Sequence, residues 1–156
     1  MASKRSAGLL LFRRGAAGTE VLLVHPGGPF WSRKDEGAWF LPKGELGEGE
    51  DPLQAARREF REELGSDPPT GEPVPLGTVK NKGGKVIEAW AIEGTFAVDS
   101  LKSNLFSLEW PPRTGQIREF PEVDRAQFFS LTTAATKLHA AEVPFLARLA
   151  ELLPPV

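Results

Sequence analysis

Three glutamates, Glu59, Glu62 and Glu63, form the densest cluster of potential chemistry in the chain. On a helix at about 100° per residue, Glu59 and Glu63 stand one turn apart with Glu62 beside them. As an exposed like-charge pair they would cost only about 0.2–0.5 kcal/mol. Held close in a partly buried cleft, two such charges repel by about 4 kcal/mol at an effective dielectric near 20. A divalent cation reverses that sign and keeps the carboxylates ionised. All-oxygen ligation points to Mg²⁺, or Mn²⁺ in its place. The same spacing also fits a solvated helix face laced by Arg58–Glu62 pairing. Helix geometry alone leaves both readings open.

The segment that must carry these carboxylates has clear helix signals. Asp51 suits the N-cap, because its side chain can accept from an early backbone amide. Pro52 falls at the first helical position, where a missing N–H costs nothing. Gly65 is placed to end the helix in a left-handed conformation. Leu53, Ala56, Phe60 and Leu64 share one arc and form the core face, with Arg57, Arg58 and Arg61 on the other side. Before this helix, 7–13 and 20–25 read as strands joined by a hairpin loop over 15–19. Their continuous apolar character suits strands covered on both faces. A long Gly-rich loop, 26–37, leads to a short strand at 38–41, broken by Pro42-Lys43-Gly44. Further strands are expected at 74–80, 86–92, 106–110 and near Phe128-Phe129. Helices are expected over 131–138 and 142–152, the second with Val143, Leu146, Leu149 and Leu153 on one face and Pro154-Pro155 as its stop. Strands interleaved with helices imply an α/β layered domain with a mixed sheet.

The chain as a whole agrees with a single domain over 1–156. Its 156 residues are 40% hydrophobic and 26% charged, with a net charge of -2. That balance gives no basic footprint for binding a nucleic-acid duplex. Cysteine is absent, which excludes thiol nucleophiles and cysteine metal sites and suits a reducing cytoplasm. The apolar run after the basic start, Met1 to Arg5, is too short for a signal peptide. No run approaches the ~18 apolar residues of a membrane span.

From Gly44 to Gly65 the residues Gly44, Glu50, Arg58, Glu59, Phe60, Glu62, Glu63 and Gly65 fall at the spacing of the Nudix box, which this stretch resembles. The one departure is Ser66, where an apolar residue is usual. The resemblance implies an α/β/α sandwich with a mixed sheet and the box helix packed on it. It implies metal-dependent hydrolysis of a diphosphate linkage in a nucleoside diphosphate-X type substrate, such as a nucleoside triphosphate or dinucleoside polyphosphate. Diphosphoinositol polyphosphates remain an alternative, as does a non-catalytic nucleotide sensor, although such a sensor would be expected to lose box carboxylates that are all present here. By the same resemblance, Glu59, Glu62 and Glu63 bind metal, joined by the Gly44 carbonyl. Glu50 and Arg58 brace the box as an ion pair. A base on a later loop would be Glu119 or Glu122, which read equally well as surface glutamates. A homodimer is a family-level expectation only.

Substrate recognition is weakly written. Phosphates need cations, and Lys43, Arg33, Lys34, Lys80, Lys82 and Lys85 are available. A flat base needs an apolar face, and Phe30 and Trp31 in the Gly-rich loop are candidates. Trp39, in its strand, fits the core better. The turn Glu109 to Arg113 and Arg118 could also face a phosphate, as readily as water. His25 and His139 receive no role. The chain has no tyrosine, which closes the route by which some dinucleoside-polyphosphate members stack a base.

Overall fold

The computed structural model describes residues 4–153. The Pro154-Pro155 stop and the first three residues of the basic start lie outside the described residues. Strands β1 (Arg5–Gly15) and β2 (Gly18–Pro26) form an antiparallel hairpin. They are followed by β3 (Lys43–Glu45), α1 (Pro52–Leu64), β4 (Val74–Lys80) and β5 (Val86–Glu93). Next come β6 (Leu105–Glu109), β7 (Ile117–Pro121), β8 (Val123–Ser130), α2 (Leu131–Lys137) and α3 (Pro144–Leu152). The main sheet runs β4-β5-β1-β2-β8, with β3 paired to β1; β6 and β7 make a separate ribbon. β1 and β5 are parallel and the other pairings antiparallel, so the sheet is mixed.

The two central strands explain the layering. Successive side chains point to opposite faces of a sheet. Leu9 and Leu11 on β1, with Leu22 and Val24 on β2, pack against Ala55, Ala56, Phe60 and Leu64 of α1. Leu10 and Phe12, with Val21 and Leu23, pack on the opposite face with Ala134, Phe145, Leu146 and Leu149 of α2 and α3. Both faces are therefore covered, which is why these strands are apolar without alternation. The result is the expected α/β/α sandwich.

Two expectations need correction. Residues 38–41 do not form a strand: Trp39 and Phe40 make isolated bridges, to Leu138 and Val24. Pro42 has no N–H to give to a ladder, and regular pairing begins only after it, where β3 meets β1. The closing helix begins at Pro144, and Glu142 belongs to a 3₁₀ turn over Ala140–Glu142. β7 carries no apolar alternation, and the sequence pattern missed it. Among the described residues, no helix is long and apolar enough to cross a membrane.

Helix α1 is fixed at both ends. The Asp51 side chain accepts from the Gln54 amide at 3.2 Å. Gly65, at φ 80°, donates its N–H to the Arg61 carbonyl. A Cβ on Gly65 would lie 2.4 Å from the Lys102 carbonyl oxygen, so both conformation and space require glycine there. The cap leads to a prediction: Asp51→Ala costs about 1 kcal/mol in urea unfolding. An unchanged midpoint would mean that packing and Pro52 alone set the helix start.

Candidate functional site

Helix α1 turns its core face to the sheet, and its acidic residues emerge at one edge of that contact. Glu63 is 8% exposed and lines a cleft of about 230 Å³. Val24, Pro26, Trp31, Phe40, Leu41, Lys43, Glu122 and Val123 complete the walls. Glu59 lies in the helix–β3 contact, its side chain 13% exposed. A Cβ on Gly44 would fall 2.0 Å from the Glu59 carboxyl carbon, so only glycine lets this carboxylate rest against the backbone of β3. Glu62 is more open.

The expected ion pair is present. Arg58 Nε and Nη2 donate to the two carboxylate oxygens of Glu50, each at 2.9 Å. Its Nη1 donates to Glu59 at 2.9 Å and to Glu62 at 3.2 Å, and Nη2 also reaches the Glu45 carbonyl. One guanidinium thus ties the loop before α1 to two of the three glutamates. The sequence reading put Arg58 on a separate basic side. From there its long side chain makes both pairings named from the sequence, with Glu50 and with Glu62, and reaches Glu59 as well. Among the described residues, no three carboxylate or imidazole groups are gathered around a single point. Arg58 supplies the neutralising charge for Glu59 and Glu62.

Burial and like charge raise the proton affinity of Glu59, Glu63 and Glu122. Burial pushes the Glu63 carboxyl well above the usual range, opposed by the Lys43 ammonium and by a bond from the Lys43 backbone N–H. Glu59 is raised chiefly by burial, with Arg58 working against it. Glu122 is raised by burial and by Glu62. Glu50 goes the other way, to about 2, through its bonds from Arg58 and from the Gly47 amide.

The remaining candidates divide. Lys43 reaches the cleft, its ammonium 4.3 Å from the centre of the Phe40 ring. Trp31 meets Phe40 edge to face at 5.6 Å, and both rings line the cleft. Phe30 does not; it is 59% exposed and packs on Trp110. Arg33 and Lys34 are exposed and lie outside the lining, though the Lys34 ammonium stands 5.0 Å from the Trp31 ring. Glu119, Arg113 and Arg118 are exposed and also outside it, whereas Glu122 is part of it. Trp39 is core, 1% exposed. Lys80 and Lys82 border a second cleft together with His139.

Three residues with evident roles went unread in the sequence. Phe40 was taken only as a strand residue. His25 is fully buried and bridges the Asp124 carboxylate and the Lys34 carbonyl at 2.7 Å each, pinning the 26–37 loop beside the cleft. Glu142, 1% exposed, pairs with Lys43 at 2.9 Å. A lone Glu after two alanines, in the turn before α3, carries no sequence signal of burial.

A family model described as NUDIX domain matches residues 2–149. No curated protein matches the chain. Among solved structures, the chain is similar to the NUDIX domain of Shewanella oneidensis NrtR complexed with ADP ribose, at 18% identity and a TM-score of 0.69, covering 99% of this chain and 90% of that one. It is similar to a C. elegans Ap4A hydrolase in a binary complex, at 20% identity and a TM-score of 0.64, covering 94% and 96%. It is also similar to a mutT/nudix family protein from Listeria innocua, at 16% identity and a TM-score of 0.62, covering 97% and 94%. At these identities the likeness is one of fold.

The raised Glu63 carboxyl has a consequence for stability. A carboxyl whose folded pKa exceeds its unfolded value takes up protons on folding, so its ionisation destabilises the fold as pH rises. Glu63→Gln should therefore raise the thermal midpoint of the metal-free protein at pH 7, with the gain vanishing below pH about 4. A midpoint at or below wild type at pH 7 would show that the ionised carboxylate is already well accommodated.

Proposed function

The chain belongs to the NUDIX family, and from that premise we propose that it hydrolyses a diphosphate linkage in a phosphorylated small molecule, using Mg²⁺ or Mn²⁺. The substrate is of the nucleoside diphosphate-X kind, such as a nucleoside triphosphate or a dinucleoside polyphosphate. The observation that supports this reading best is the convergence of Glu63 and Glu122 on one cleft that also presents Lys43 and two aromatic rings. Packing of Glu59 on Gly44 extends the acidic group beneath it.

In this reading Glu59, Glu62, Glu63 and the Gly44 carbonyl would hold the cation, which would have to draw together carboxylates that do not meet at one point without it, displacing Arg58 from Glu59 and Glu62. The donor set is all oxygen, which suits a hard divalent ion. When bound, such an ion neutralises charge on the diphosphate oxygens and makes a water more acidic. The residues around it have separate tasks. Lys43 faces a phosphate oxygen with a charge that the apolar walls leave poorly screened. Trp31 and Phe40 offer apolar faces to a base. Glu122, which lines the cleft with Glu63, would take a proton from the attacking water, and partial desolvation together with the Glu62 charge raises its proton affinity. Arg58 and Glu50 keep the loop and helix in register. Hydrolysis then proceeds by attack of water on phosphorus, with positioning and electrostatics supplying most of the rate. The cysteine-free composition fits a cytoplasmic enzyme.

A panel of nucleoside triphosphates, dinucleoside polyphosphates and diphosphoinositol polyphosphates, assayed for phosphate or pyrophosphate release, tests the proposal. At least one compound should turn over with Mg²⁺ and not with chelator. On that compound Glu59→Gln should lower kcat by about 100-fold or more while circular dichroism stays as in wild type. Wild-type rates in this variant, or turnover in chelator, would remove the assignment.

A further inference from the structure

Among the described residues, Glu63 and Glu142 are the two buried carboxylates. Both are found at the same short segment, Leu41 to Lys43: Glu63 shares its cleft and Glu142 bonds to it. Glu63 lines the cleft together with Lys43, whose ammonium favours its ionised form. Glu142 takes the Leu41 N–H on Oε1 at 2.9 Å and the Lys43 ammonium on Oε2 at 2.9 Å. The ammonium thus lies within the influence of both carboxylates, yet its ion pair is with Glu142.

The route by which Glu142 arrives explains one of its two bonds. Trp39 and Leu138 form a parallel bridge. The Trp39 N–H donates to the Lys137 carbonyl at 3.0 Å, and the His139 N–H donates to the Trp39 carbonyl at 2.8 Å. A continuing ladder would next pair the Leu41 N–H with a backbone carbonyl. The chain instead turns away into the 3₁₀ turn, and one oxygen of Glu142 stands in for that carbonyl. This first bond needs an acceptor but no charge, so a glutamine would serve. The second bond does need the charge. Burying a carboxylate to make it is costly unless the charge is used. Its partner is the one Lys or Arg among the residues that line the cleft.

We propose that Glu142 is a positioning residue: it holds the Lys43 ammonium away from Glu63, leaving Glu63 to a divalent cation and Lys43 to the phosphate of the substrate. Without the Glu142 charge, Lys43 has one buried carboxylate left to pair with. An internal ammonium on Glu63 then competes with the metal for the same oxygens. The inference rests on the function proposed above only in taking Glu63 as a cation ligand.

Direct Mn²⁺ binding to the full chain, by isothermal titration calorimetry, tests this without any turnover. Glu142→Gln preserves the acceptor for Leu41 and removes the charge. It should weaken Mn²⁺ binding roughly tenfold or more, the usual effect of losing a group that orients a metal ligand. Adding Lys43→Met to that variant removes the competitor and should restore wild-type affinity. A merely structural role for Glu142 predicts no such rescue. Lys43→Met alone should bind Mn²⁺ no more weakly than wild type, which keeps the inference testable if Glu142→Gln fails to fold. Three outcomes overturn it while leaving the function intact: wild-type affinity in Glu142→Gln, a double variant as weak as the single, or a tenfold loss in Lys43→Met alone. A wild-type chain that takes up no Mn²⁺ at millimolar concentration overturns the function reading, and this inference with it.

Discussion

Crowding of negative charge along one edge of α1 is the constraint around which the site is built. Glu59, Glu62 and Glu63 lie within about 100° of arc on one helix, and Glu63 is held almost out of water. A charge so placed is unfavourable unless something positive answers it. The fold answers with two cations from opposite directions. Arg58 reaches Glu59 and Glu62 on its own helix and is itself anchored by Glu50. Lys43 approaches from β3 and is anchored by Glu142. Each counter-charge therefore has its own carboxylate holding it in place. The pairing leaves Glu63 influenced by a positive charge without being bound to it.

The rest of the architecture serves to keep these groups close. Both faces of the β1–β2 pair are covered, so α1 cannot shift without opening the Phe60 and Leu64 contacts. Close packing makes such a core resist small displacements. At Gly44 the Glu59 carboxylate fills the space a side chain would take, bringing α1 and β3 into close contact. On the far side, Glu122 sits where β7 hands over to β8, its N–H bonded to the Asn104 carbonyl and its carbonyl to the Gly27 N–H. The lip that carries it is thus tied to the segments on both sides of the cleft.

Much of this was legible in the chain because it is local. The caps of α1, its apolar arc and the carboxylate spacing all lie within a short stretch, and helix geometry converts spacing into position. β4 was read at its observed bounds for the same reason, as a short run between turn signals. What escaped depends on distant pairings. The 38–41 segment looked like a strand because it is apolar, but Trp39 and Phe40 earn that character by packing against the sheet and His139. β7 is a strand because β6 pairs with it, not through any pattern of its own. Glu142 lies about 100 residues from Lys43 in sequence, and no spacing rule joins them. Phe30, Arg33 and Lys34 were grouped with Trp31 as neighbours in the loop, yet only Trp31 turns into the cleft.

The account stands on a divalent ion relieving the acidic edge of α1. Thermal unfolding of the wild-type protein in millimolar MgCl₂, against NaCl at equal ionic strength, measures that relief directly. Binding to the native state alone stabilises by about 2.7 kcal/mol at a hundredfold excess over Kd. The account predicts a midpoint several degrees higher in MgCl₂ than in NaCl. Equal midpoints across the millimolar range would contradict it.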